Sequence, residues 1–186
     1  VGVSGFDAPA PVIRSLVARA LAEDLGVLGD ITTTACVADD QIAVAAWVAR
    51  EEGVLAGTAL ATEVFRQIDE HTTVSWRCVD GDPVEPNMEL GRVTGPLRSI
   101  LAGERVALNF VGHCSGVASL TRRYVRASRG KARIRDTRKT LPGLRGIQKA
   151  AVRAGGGFNH RDSLSDAVLI KDNHLAVLGI AQAVER

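Results

Sequence analysis

The chain has 186 residues, 46% of them hydrophobic, enough to build the core of one large domain or two small ones. Its net charge of +2 conceals an asymmetry: residues 1–130 hold twelve Arg, no Lys and sixteen acids, whereas residues 131–186 hold eleven bases against five acids. Aromatic residues make up only 4%, too few to interleave with the basic stretch, which argues against stacking on nucleic acid. The longest run without formal charge, 106–121, is too short and too polar to span a bilayer.

From the N-terminus, no basic segment leads into an apolar core, so the start does not read as a signal peptide. Residues 11–25 have Val12, Ile13, Leu16, Val17, Ala20 and Leu21 at helical spacing. Gly29-Asp30 opens a segment rich in Thr and Val. Strands are predicted at 42–50 and 74–80, and residues 54–69 start extended and turn helical. The turn-rich stretch 81–95 is expected to hold short strand pieces between Pro and Gly. Two helices are predicted at 97–111 and 117–127, separated by "GHCSG". From residue 132 the pattern becomes strand ("ARIRDT"), helix with a glycine stop ("LRGIQKAAVRAG"), strand ("DAVLIKD"), and the start of a further helix ("LAVLGIAQAVER"). A strand–helix–strand unit of this kind opens a parallel α/β sheet or barrel.

Between Lys131 and Arg161 there are nine Lys or Arg and one acid, Asp136. Arg138 and Lys139 follow the first of these strands and Lys171 ends the second, the edge where α/β folds bind ligands. Arg138, Lys139, His160, Arg161 and Lys171 are therefore candidates for one pocket. Arginine presents a planar fork to a carboxylate and lysine a point charge to a phosphate. A solvated basic helix face is the alternative, and it fits Lys149 and Arg153, four apart on a helix. Gly155–Gly157 exceed what a helix stop needs and point to close backbone packing or to a backbone approaching a ligand.

Other chemistries fit less well. No G-x-G-x-x-G or phosphate-binding loop motif occurs. The four histidines lack zinc-ligand spacing, and three distant cysteines form neither C-x-x-C pair nor disulfide framework, which suits a reducing cytoplasm. Cys114 beside His113 is a thiol–base pair in sequence only, since neighbours along a helix do not face each other.

The motifs "DTRKT-PGLR", "GGG-NHR" and "LIKDNH", in this order, resemble the signature series of the quinolinate phosphoribosyltransferase family. The resemblance extends upstream through "AEDLGVLGDITT", "GVLAG", "ERVALNFVGHCSG" and "LTRRYV" and covers nearly the whole chain. It implies an α/β fold of two domains: an open-faced α/β sandwich over residues 1–112, then, over 113–186, the beginning of an α/β barrel that the chain does not complete. It also implies a cytoplasmic homodimer or larger homo-oligomer. The implied reaction makes nicotinate mononucleotide, CO₂ and pyrophosphate from quinolinate and phosphoribosyl pyrophosphate, with Mg²⁺, in NAD biosynthesis; no nucleic acid and no membrane take part.

By the motif match, Arg138, His160 and Arg161 would line the quinolinate carboxylates. Lys139 and Lys171 would serve the phosphoribosyl and pyrophosphate groups as catalytic residues, Thr137 would belong to the same turn, and Arg105 would reach the neighbouring subunit's site. No protein ligands to a metal are implied by these residues. Three departures stand out. Asp162 and Ser163 occupy positions where the family usually has Gly, and a new acid there would weaken the hold of Arg161 on a carboxylate. Ala150 stands where an aromatic is common. The family also continues through more βα units, so the 186 residues are expected to represent the first part of the enzyme and to turn over no quinolinate alone.

Three other functions compete. A paralogous phosphoribosyltransferase of altered substrate would show losses from the arginine set. A biotinyl- or lipoyl-like carrier, suggested by "DGDPVEPNMELGRV", needs an attachable lysine, and none occurs before Lys131. A catalytically incompetent anion-binding fragment is the third.

Overall fold

The computed structural model describes residues 6–185; the reading of the extreme N-terminus therefore lies partly outside the described residues. The fold is mixed α/β. Helix α1 (Ala10–Leu25) carries a proline in its first turn, where a missing N–H costs nothing, and buries Ile13, Leu16, Val17 and Leu21. A short α2 (Ile31–Cys36) follows, capped by Asp30, whose carboxylate accepts from the Thr33 amide at 2.9 Å.

Three antiparallel strands form the main sheet: β1 (Ile42–Val48), β5 (Glu89–Pro96) in the centre, and β3 (Thr73–Trp76). The register runs from Ile42 opposite Pro96 to Trp47 opposite Gly91, then shifts by a bulge so that Val48 meets Glu89. A second, two-stranded ladder joins β2 (Gly53–Val54) to β4 (Pro83–Val84). One face of the main sheet stays uncovered, with Ile42, Val44 and Val48 exposed, so this is an open-faced sandwich. Beneath the other face pack α3 (Thr58–Ile68) and the 32-residue α4 (Leu97–Ser128), around Leu60, Val64, Phe65, Ile100 and Ala107.

The single helix α4 replaces the two predicted for 97–111 and 117–127. Gly112 and Gly116 each cost about 1 kcal/mol in a helix interior, which is why "GHCSG" reads as a break. Tertiary bonds override that cost. The Ala56 amide donates to Ser115 Oγ at 3.0 Å and the Val54 amide to Ser119 Oγ at 2.8 Å, while Cys114 and Ala118 are fully buried. The boundary expected at 112/113 thus falls inside a continuous helix.

Beyond residue 131 the predicted strands shrink. Of "ARIRDT" only one parallel bridge forms, Arg135 to Phe158, and "DAVLIKD" is not a strand. The reason is physical: a strand exists only against a hydrogen-bonding neighbour, and residues 166–172 have none among the described residues. Helix α5 (Arg145–Ala154) forms as expected and ends at Gly155. The last helix, expected from Leu175, forms only as α7 (Ile180–Glu185), and a single turn, α6 (Asp172–Leu175), precedes it. No closed barrel is present among the described residues.

Candidate functional site

The parallel bridge between Arg135 and Phe158 positions the site. Phe158 N–H donates to the Ile134 carbonyl at 2.8 Å, and Asp136 N–H donates to the Phe158 carbonyl at 3.1 Å. Two chain segments therefore run side by side and release their C-terminal ends, Thr137–Lys139 and His160–Arg161, at the same edge. The glycine run makes this possible by letting the second segment lie on α4. A Cβ on Gly155 would press into the Ala118 carbonyl and stand 2.7 Å from Thr121 Cβ, and Gly156 has φ +88°. Close backbone packing is thus what these glycines serve. Arg122 closes the junction, donating to the Gly155 carbonyl at 2.9 Å and the Ala154 carbonyl at 3.2 Å.

Under that edge lies a charged cluster. Lys149 Nζ donates to Asp136 Oδ1 at 2.8 Å and to the His160 carbonyl at 2.7 Å, and lies 3.2 Å from Asp162 Oδ1. The Lys149 and Asp136 side chains are only 3% and 7% exposed. Asp136 also accepts from the His160 amide at 2.8 Å and from Asn159 Nδ2, which is itself 3.0 Å from the Lys149 carbonyl. Lys149 is therefore not on a solvated helix face, as its spacing suggested. It lies on the buried side of a helix rich in small residues, Ala150, Ala151 and Ala154, that packs against its surroundings around most of its circumference. Arg153 is also engaged, pairing with Asp7 and Asn159.

Each expected site residue can now be located. Thr137 and Lys139 line a pocket of about 200 Å³ with Asp136, Thr140, Gln148 and Lys149. The Thr137 hydroxyl accepts from the Lys139 amide at 3.0 Å, which folds the turn. Arg138, between them, has a buried Nε with no partner in the protein. His160 and Arg161 are tied to the pocket wall through Asp136 and Lys149. The Arg161 amide donates to His160 Nδ1 at 2.8 Å, so the neutral imidazole carries its proton on Nε2. Arg161 Nη1 donates to the Ala167 carbonyl at 2.7 Å. Lys171 is not brought to this edge by a strand; it is exposed, at the start of α6. Arg105 is exposed on α4.

Asp162, largely exposed, has its Oδ1 3.2 Å from Lys149 Nζ, outside the buried Lys149–Asp136 pair. Larger grooves border α4: two have mainly apolar walls, and a third brings Arg122, Arg123 and Arg126 together with Glu52 and Glu85. Cys114 is fully buried, and burial pushes its thiol up to about 12, which removes it as a nucleophile. Residue-by-residue reading missed Asp136, Lys149 and Asn159. The available signal was that Asp136 is the one acid among nine bases.

Comparison with known proteins gives a consistent result. Two family descriptions match in succession: the N-terminal domain of quinolinate phosphoribosyl transferase over residues 30–115 and its C-terminal domain over residues 117–186. The chloroplastic carboxylating nicotinate-nucleotide pyrophosphorylase of Oryza sativa subsp. japonica is 44% identical over 90% of this chain and 45% of its own length. The carboxylating nicotinate-nucleotide pyrophosphorylase of Mycobacterium leprae is 47% identical over 94% of this chain and 61% of its own. The solved nicotinate-nucleotide pyrophosphorylase from Francisella tularensis superposes with a TM-score of 0.90 at 43% identity, covering 96% of this chain and 63% of that one. The chain spans about half the length of the curated relatives it matches.

Proposed function

Because the chain belongs to the quinolinate phosphoribosyl transferase family, we propose that it serves phosphoribosyl transfer from phosphoribosyl pyrophosphate to quinolinate, with decarboxylation to nicotinate mononucleotide. The observation that carries this reading is the parallel bridge between Arg135 and Phe158, which sends Thr137–Lys139 and His160–Arg161 to one edge. Both substrates are anions, and fixed cations at that edge offset their mutual repulsion.

Arg138, with its unpartnered buried Nε, and Arg161 suit the two carboxylates, and His160 adds an Nε2–H donor. Lys139, on the pocket wall, suits the pyrophosphate, whose charge grows as the pyridine nitrogen attacks the sugar C1. The quaternary nitrogen then draws electrons from the adjacent C2–carboxylate bond; CO₂ departs and a proton returns to C2. Positioning and charge compensation supply most of this catalysis. Lys171 joins the site on this proposal, reaching both substrates from the segment before α6.

Among the described residues no group of carboxylates, histidines or cysteines converges to hold a metal. Mg²⁺ is proposed to arrive on the phosphates of its co-substrate, and the roles above stand on the protein's own groups. A homodimer is part of the proposal, with Arg105 serving the neighbour's site; its exposure on α4 beside exposed Leu101 and Leu108 suits a helix that meets a partner. Three free cysteines suit the cytoplasm.

The test is direct: the full natural protein, given quinolinate and phosphoribosyl pyrophosphate, should release CO₂ and form nicotinate mononucleotide only when both are present. Absence of both products would end this reading.

A further inference from the structure

We propose that Lys149 is a positioning residue for this reaction, an inference that rests on the quinolinate reading. Lysine has three N–H donors; here two are taken by Asp136 Oδ1 and the His160 carbonyl, and Asp162 Oδ1 stands 3.2 Å away as an ion-pair partner. His160 is consequently clamped on both sides of its backbone. Its N–H is held by Asp136 and its C=O by Lys149, so neither flanking peptide can rotate without breaking a bond to a buried charge.

Lys149 has a second effect, on charge. Asp136 is a carboxylate placed among cations that the substrates need. With Lys149 against it, and Asn159 Nδ2 and the His160 amide filling its other acceptor directions, its charge is spent internally. Asp136 then has no free charge to offer Arg138, two residues along the same segment, whose buried Nε has no partner in the protein. Without Lys149, Asp136 would compete with quinolinate for it. The buried lysine thus contributes no contact to substrate, yet it keeps Asp136 from competing for Arg138 and holds the His160 backbone in place.

The test uses the full natural protein and rates normalised to folded enzyme. Lys149→Met should raise the quinolinate KM about 10- to 150-fold, the range for a lost charge-assisted contact, and change kcat much less. The double variant Lys149→Met/Asp136→Asn removes both charges and keeps an acceptor for the His160 amide, so its quinolinate KM should fall back toward the wild-type value. A purely structural lysine would lower the yield of folded enzyme and leave KM unchanged in both. Lys149→Gln, which keeps a donor without the charge, is the second variant should Lys149→Met fail to fold. In the wild-type protein the His160 amide should exchange with solvent as slowly as the interior amides of α5. An unchanged quinolinate KM in the single Lys149 variants, or rapid exchange at His160, would overturn the proposal. A wild-type protein that turns over no quinolinate would instead overturn the function on which it rests.

Discussion

Asp80 holds the first residue of α3: the Thr58 amide donates to its Oδ1 at 3.2 Å and the Thr58 hydroxyl to its Oδ2 at 2.9 Å. Burial dominates over these bonds and raises the carboxyl's pKa above the ordinary aspartate value. A group whose folded pKa is raised adds stability below its unfolded value and loses that contribution as pH rises through the folded value. Asp80→Asn keeps an acceptor for the Thr58 amide and removes the titration. In urea unfolding at a series of pH values, wild type should therefore lose stability relative to Asp80→Asn as pH rises from the acidic range. A difference that stays constant across that range would show that Asp80 titrates as it does unfolded.

Asp69 gives the opposite slope. The His71 amide donates to it at 2.9 Å and the Ser99 hydroxyl at 2.7 Å, and these bonds lower its pKa. Its contribution is present above the unfolded value and is lost as pH falls through the folded one. Asp69→Asn should accordingly cost stability at neutral pH and cost progressively less toward acid. The same urea series measures it, and the two aspartates should diverge in sign.

Gly155→Ala should be strongly destabilising. The new methyl has the Ala118 carbonyl and Thr121 in its path, both on a helix that cannot retreat. Overpacking of this kind costs about 1–3 kcal/mol. Gly112→Ala and Gly116→Ala, by contrast, meet open space within α4 and should each stabilise by about 0.4–1 kcal/mol. Thermal unfolding of the three single variants checks both signs.

Substrate choice follows from the arginines. Nicotinate lacks the 2-carboxylate and would leave a cation unpaired, so it should bind about 10- to 150-fold more weakly than quinolinate. Calorimetry that gave equal affinities would remove Arg138 and Arg161 from the carboxylate role.

Subunit mixing tests Arg105. Arg105→Ala and Lys171→Ala proteins should each be inactive, and an exchanged mixture should regain activity in those sites that hold both residues. No recovery after verified exchange would assign the site to one chain.

Much of this was legible in the sequence. The α1 periodicity, the β1 strand and the glycine stop of α5 follow from local rules and appear as expected, whereas the turn-rich 81–95 stretch yields the eight-residue central strand β5. The motif order named the family. Three features were not legible, for identifiable reasons. Gly112 and Gly116 read locally as a break, because Ser115 and Ser119 are stitched to the residue 54–56 backbone only in three dimensions. Lys149 and Arg153, four apart, read as a solvated face, because a sequence does not show which side of an alanine-rich helix faces the interior. "DAVLIKD" read as a strand from its composition, but strand formation depends on a neighbour that composition does not supply.

The unbroken α4 has a consequence for how this fold tolerates change. Arg105 sits near one end, and Arg122, which grips the last carbonyls of α5, sits 17 residues later. That interval spans about 25 Å of rigid rod, and one inserted or deleted residue would turn everything beyond it by about 100°. Ser115, Ser119 and Arg122 would then miss the backbone groups they hold. Substitutions can be absorbed along this interval, whereas changes of length cannot, and its spacing acts as a fixed gauge between Arg105 and the basic edge.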